Sequence, residues 1–268
     1  MIFILDVFKK ELTINDYFCV FQFVSTPLIE IKNLSKHYGT KIALDKINIK
    51  LYKNEVVGLL GLNGAGKSTC LKILAGILPP TEGEIYLNNE ILYSSSDIQT
   101  NDYLTQYKSK ISIGYLPEFI SLYPELTIKD FLDFMMVIKD VPKHLRQEQL
   151  QNAIKKTHLE EYQETLIKYL SLGYQKRTGI AQTILGNPTL IILDEPISGL
   201  DPRQIIEIRN LIRELAKEHT ILLSSHILSE VAQTCNRVYI LHNGKIVKEV
   251  EKGQLSQIEN IFMEATNA

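Results

Sequence analysis

Tryptophan is missing altogether, and the 268 residues hold only three cysteines, Cys19, Cys70 and Cys235. They lie far apart and form no Cys-x-x-Cys pair, so neither a disulfide framework nor a zinc site is indicated, and a reducing compartment suits the chain. No stretch reaches the ~18 consecutive apolar residues of a spanning helix. The chain therefore forms no path across a bilayer, and any transport needs a partner. A surplus of positive charge is lacking too: 29 Lys and Arg against 31 Asp and Glu leave a net charge of -2. Nucleic acid or an anionic membrane can then be held only through a local patch, and no direct nucleic-acid partner is expected. What is present is ordinary for a folded chain. Apolar residues make up 45% and charged residues 22%, which excludes disordered, collagen-like and coiled-coil classes. At ~100 to 200 residues per domain, the length allows one large domain or one domain with a sizeable insertion.

The first 26 residues differ from the rest, holding Phe3, Phe8, Phe18, Phe21 and Phe23 of the nine phenylalanines. Lys9, Lys10 and Glu11 interrupt the segment and Asp16 follows, which argues against a signal peptide. Two readings remain, an apolar extension packing on the domain or its partner, or an upstream start codon; the second is preferred. From residue 27 to 268 the text alternates strand-like and helix-like segments. Alternating polarity marks strands at Leu28–Leu34 and Lys46–Tyr52; buried strands are expected at Glu55–Leu60, Ile111–Leu116, Leu190–Asp194 and Thr220–Ser224. Such runs suit a mostly parallel sheet covered on both faces. A helix should follow Gly66, and another should run from Asp201-Pro202, an N-cap carboxylate with proline at the first helical position, to about Glu218. From Asn88 to about Lys176 the pattern turns mostly helical, with apolar spacing at Phe131, Phe134, Met135 and Ile138, and reads as an inserted helical subdomain. Asn243-Gly244 marks a late hairpin.

Gly61-Leu62-Asn63-Gly64-Ala65-Gly66-Lys67-Ser68-Thr69 fits GxxxxGK[ST], directly after an expected strand and before an expected helix. Glycines let the backbone curl until several N–H groups point inward at phosphates, and the helix adds the positive end of its dipole. Lys67 would hold the β and γ phosphates, and the Ser68 hydroxyl would ligate magnesium. The plain alternative is a glycine turn. Farther on, Leu190-Ile191-Ile192-Leu193-Asp194-Glu195 sets two adjacent carboxylates at the carboxyl end of a buried strand, where open α/β sheets bind ligands. Asp194 suits the magnesium shell and Glu195 suits a general base that polarises the attacking water; the alternative is a helix-capping pair.

Together these motifs resemble the ATP-binding cassette family, the nucleotide-binding subunits of ABC transporters, over residues 28 to 265. The resemblance implies the P-loop α/β fold of that family, with a mostly parallel core sheet, an antiparallel β subdomain and an inserted helical subdomain. It also implies ATP and Mg2+ as cofactors. The family's signature, usually LSGGQ, corresponds to Leu170-Ser171-Leu172-Gly173-Tyr174: Ser171 and Gly173 match, Leu172 and Tyr174 depart. In the family this segment opens a helix aimed at the γ-phosphate held by the other subunit; the alternative is an ordinary serine N-cap. Ser198-Gly199-Leu200-Asp201 matches the D-loop, and His226 matches the switch histidine, which contacts the γ-phosphate and helps position water; a structural histidine is the alternative. Tyr38 matches the aromatic residue that stacks on adenine. At the Q-loop position, where the family usually has glutamine touching magnesium, this chain has Glu118. The carboxylate still suits a magnesium ligand but adds negative charge near the triphosphate.

Tyr115-Leu116-Pro117-Glu118, Leu122–Leu126, the Leu-Ser-x-Gly-Tyr signature and Ile261–Glu264 look like the branch that serves ABC-2-type exporters, including gliding-motility-associated cassettes. The branch implies a peripheral location on the cytoplasmic face of the membrane, a second cassette as homo- or heterodimer partner, and an integral membrane permease. Phe119 to Leu126 are candidates for docking the permease, against the alternative of packing within the helical subdomain. The resemblance further implies two cassettes sandwiching two nucleotides head to tail, closing on ATP and opening after hydrolysis. Two rivals stand beside this reading. A non-transport ABC ATPase usually has two cassettes or a long coiled coil, which this chain lacks; a regulatory cassette that only binds nucleotide is disfavoured by Lys67, Asp194, Glu195 and His226. GTPases and kinases need other motifs, such as an NKxD base reader, which is not found.

Overall fold

The computed structural model describes residues 26–95 and 111–266. The expectation for residues 1–26 lies outside the described residues except for its last position. Apolar, β-branched segments build ten strands among the described residues: β1 Ile29–Tyr38, β2 Lys41–Leu51, β3 Val56–Leu60, β4 Glu82–Leu87, β5 Glu90–Ser94, β6 Ile113–Leu116, β7 Leu190–Leu193, β8 Thr220–Ser225, β9 Arg237–His242 and β10 Lys245–Glu251. The α-helices among the described residues are α1 Lys67–Leu74, α2 Ile128–Ile138, α3 Lys143–Lys156, α4 Leu172–Ile184, α5 Pro202–Leu215, α6 Leu228–Thr234 and α7 Ile258–Thr266.

Strands β3, β7, β8 and most of β9 are buried runs without polar alternation, the pattern of a sheet covered on both sides. They form a six-stranded sheet in the order β10-β9-β3-β8-β7-β6, parallel except for the last hairpin strand, β10. The two-residue period of a strand divides its side chains between two cores. Val56, Leu60, Ile191, Leu193, Ile221, Leu223 and Ile240 pack with the helices α2 to α7. Val57, Leu59, Leu190, Ile192, Leu222 and Tyr239 pack with α1 and the four-stranded antiparallel sheet β2-β1-β4-β5.

Sequence and structure differ in three places. Residues 88–94, assigned above to the helical subdomain, instead turn through Asn88 and Asn89, both at positive φ (49° and 67°), into β5, which pairs with β4; two asparagines tolerate the left-handed conformation that a tight hairpin requires. In α2 the buried stripe is Ile128, Phe131, Leu132 and Met136, while Phe134 and Ile138 are exposed. Helix α5 stops at Leu215, short of Glu218, in a turn where Glu218 N–H donates to Leu215 O at 3.1 Å. Its expected start holds: Asp201 Oδ1 accepts from Gln204 N–H at 3.0 Å and proline occupies the first helical position. The hairpin at Asn243-Gly244 also forms, both residues at positive φ.

Candidate functional site

The register of the parallel ladder assembles the site. Leu60 pairs with Ser225, Leu193 with Leu223, and Leu116 with Leu193. Gly61, His226, Asp194 and the Pro117-Glu118 segment therefore leave the sheet along one carboxyl edge, which is where a doubly wound sheet places its ligand crevice. Beyond β3 the loop Gly61–Gly66 curls under the start of α1. Gly66, the helix N-cap, has φ 113°, and a Cβ there would sit 2.5 Å from Ala43 O, so only glycine fits. No side chain caps α1, leaving its first-turn N–H groups, which have no intrahelical acceptor, aimed at the loop's concavity. The loop is braced from outside by the β9–β10 turn, where Gly244 N–H donates to Ala65 O at 3.0 Å.

A cavity of about 400 Å³ lies over this loop, lined by Tyr38, Asn63, Gly64, Gly66, Lys67, Ser68, Thr69, Glu118 and Glu195, together with Lys41 and Ala43. Gly61 and Ala65 are buried beneath it, and Leu62 is turned to the surface. Tyr38 ends β1 and is 46% exposed.

Glu195 is the hub of the site. It is 4% exposed and has φ 49°, a left-handed conformation that strains a non-glycine residue. Its N–H donates to Ser224 Oγ at 2.9 Å, and Ser224 Oγ in turn donates to Asp194 Oδ1 at 2.6 Å. Oε2 lies 2.9 Å from His226 Nδ1, a bond that requires the imidazole proton on Nδ1 because the carboxylate accepts. Oε1 lies 3.3 Å from Lys67 Nζ, and it is buried without a hydrogen bond of its own. Lys67 is held along the loop by donation to Gly61 O at 2.8 Å and Leu62 O at 3.4 Å. Asp194 N–H continues the ladder by donating to Leu116 O at 2.8 Å. A carboxylate oriented by a histidine beside a lysine and a ring of backbone donors has the geometry to polarise water at a bound phosphoryl group.

Magnesium can be tested against the same geometry. Ser68 and Glu118 line the cavity and Asp194 is buried just behind it, so the donors are a hydroxyl and carboxylates only, the hard oxygen set that this ion takes. Burial first, then Asp194 and Glu118, push the nearby Tyr115 hydroxyl up to about 12, so it stays a neutral neighbour of those carboxylates.

The structure keeps two expected residues away from this cavity. Ser171 is the N-cap of α4, exposed and making no side-chain cap bond, so the plain capping role is not what it performs. Gly173 packs on Gln204 of α5, 2.7 Å from where a Cβ would stand, in a separate depression with Arg177, Asp201 and Glu207. Tyr174, a departure from the family pattern, stacks on Tyr162 with ring centroids 4.1 Å apart and lies under the Arg177 guanidinium. Sequence reasoning missed the roles of Ser224 and Lys176. Ser224 stood at the end of the expected strand Thr220–Ser224, but its link to Asp194 depends on the β7–β8 pairing. Lys176, only 3% exposed, donates from Nζ to the carbonyl oxygens of Glu118 (3.2 Å) and Glu195 (3.3 Å).

Residues 44–198, more than half of the chain, match the model of the ABC transporter family. The chain belongs to that family. It is 34% identical to the bacitracin transport ATP-binding protein BcrA of Bacillus licheniformis over 241 residues, covering 88% of this chain and 74% of the relative. Among solved structures, cbiO1 from Clostridium perfringens, part of the ABC transporter complex cbiONQ, superposes with a TM-score of 0.76 at 27% identity, over 89% of this cassette and 94% of that chain. The dimeric ATP-binding cassette MJ0796 bound to ADP and Pi superposes with a TM-score of 0.71 at 26% identity, over 84% and 98%. This chain is thus the ATP-binding, ATP-hydrolysing subunit of an ABC transporter. Among the described residues no helix is long and apolar enough to cross a membrane itself.

Proposed function

We propose that this cassette powers export by an ABC-2-type permease from the cytoplasmic face of the membrane, and that Glu195 is the general base of its ATPase site. The observation carrying the catalytic assignment is the convergence of Lys67, His226 and Ser224 on Glu195 at the rim of the phosphate loop. In this reading Tyr38 stacks on adenine, several N–H groups of the loop Gly61–Thr69 cradle the phosphates, and Lys67 swings to the β and γ phosphates. Ser68, Asp194 and Glu118 would hold magnesium, which would supply charge neutralisation at the triphosphate. His226 orients Glu195 and the γ-phosphate. Ser171 and Gly173 serve the nucleotide bound by the second cassette.

The permease contact lies at the entry to the helical subdomain, in the segment that leads from Ile113–Leu116 into the helix Ile128–Ile138. Ile120, Leu122 and Leu126 pack inward against the core, whereas Phe119 is 84% exposed and Tyr123 lies outward in a T-shaped contact with exposed Phe134 at 5.5 Å. Phe119, Tyr123 and Phe134 then form the docking surface, an aromatic cluster of the kind that anchors interfaces. The test is a pulldown from detergent-solubilised native membranes with tagged Glu195→Gln protein and Mg-ATP. A multi-spanning permease identified by mass spectrometry supports the reading. Recovery of soluble, ribosomal or nucleic-acid partners alone overturns it.

A further inference from the structure

Helix α4 reaches into the site from a direction the phosphate loop does not explain. Its Lys176 stands one turn in from Ser171, buried, and its single ammonium bonds the carbonyl oxygens of Glu118 beyond β6 and Glu195 beyond β7. Three segments are thereby pinned to one point: both carboxylate-bearing loops, and the helix whose N-terminus carries Ser171 and Gly173. Glu195 needs external restraint, because its left-handed backbone is strained. On the amide side Ser224 provides it; on the carbonyl side the donors are Ser198 N–H at 3.2 Å and Lys176. Burial draws the ammonium below the usual lysine range, while Glu118, Glu195 and Asp194 act in the opposite sense. A charge that is costly to bury is thus retained where three carboxylates gather.

We propose that Lys176 is a positioning residue for hydrolysis, locking the carbonyl ends of Glu118 and Glu195 against each other and against α4. It thereby holds the Glu195 carboxylate beside Lys67 and His226 and ties that placement to the helix that meets the second cassette. The proposal rests on the assignment of Glu195 as general base. Because its bonds run to backbone carbonyls behind the carboxylates and not to the phosphate loop, Lys176 governs turnover and not nucleotide affinity.

The test compares the full chain with Lys176→Met and Lys176→Gln, measuring steady-state ATPase, trinitrophenyl-ATP affinity and thermal unfolding. Methionine fills the space without donating; a glutamine amide still donates to carbonyl groups but carries no charge. The expected result is a loss of at least about tenfold in kcat for Lys176→Met, with affinity within about threefold of the parent, and recovery of most of that loss by Lys176→Gln. Unchanged kcat in Lys176→Met overturns the proposal, as does an equal loss of affinity or a glutamine variant as slow as the methionine one. If Lys176→Met does not fold, Lys176→Gln decides alone, since a tenfold loss there contradicts positioning by hydrogen bonds. Glu195→Gln is run in parallel. Full activity in Glu195→Gln removes the underlying site assignment, whereas an inactive Glu195→Gln beside a fully active Lys176→Met removes only the role of Lys176.

Discussion

Glu195 is met by Lys67, His226, Ser224 and Lys176, and its removal is the sharpest residue-level test. Glu195→Gln keeps the shape and loses the basicity, so kcat should fall by about 10² to 10⁴, the usual worth of general base catalysis, while nucleotide still binds. A variant with near-parental turnover would assign the base elsewhere. Glu118→Gln removes the extra charge at the proposed metal position; the magnesium dependence of the ATPase should shift, and an unchanged titration would deny Glu118 that role. Two thiols give an independent check on the core. Burial pushes Cys70 up to about 12 and Cys235 further still, so both should resist alkylation at pH 8 until denaturant is added, as peptide mapping would show. At this scale the sequence displayed nearly every site residue, because Gly61–Thr69, Asp194-Glu195 and His226 lie in contiguous motifs. Ser224 and Lys176 escaped notice because their significance comes from strand register and helix packing, which bring residues 19 to 58 positions apart into contact.

Among the elements, α4 is the one whose placement matters most, since it carries Ser171, Gly173 and Lys176. Its far end is fastened by Lys139, whose Nζ donates to the carbonyl oxygens of Gln182, Thr183 and Leu185. Lys139→Met strands those terminal carbonyl groups and should cost about 1 to 3 kcal/mol in urea unfolding. Burial lowers the Lys139 ammonium to about 8 from an ordinary 10.5, so between these pH values the unfolded chain binds more protons than the folded one. The parent should therefore gain stability over Lys139→Met as pH rises through that window, and a difference that shrinks would contradict this. Asp201 caps α5, and Asp201→Ala should cost about 1 kcal/mol. Helix starts such as this one were legible because caps and prolines act locally. The strand Glu90–Ser94 was not, since five residues gain strand character only by pairing with β4, and the buried stripe of α2 depends on which neighbours cover it.

In the whole molecule, the phosphate loop and the N-terminus of α4 open onto different depressions of one chain. A hydrolytic site that needs both must be completed by a second cassette, through a two-fold interface that makes two such sites at once. The most direct test mixes two defective chains, Lys67→Ala and Ser171→Arg. Each alone should be inactive, since every composite site then contains one defect. In a mixed dimer one site inherits both defects and the other inherits none, so an equimolar mixture should recover roughly a quarter of the parental ATPase rate if pairing is random. A mixture that stays inactive while light scattering shows mixed dimers, or a Ser171→Arg chain that hydrolyses ATP at the parental rate by itself, would contradict a site shared between two cassettes.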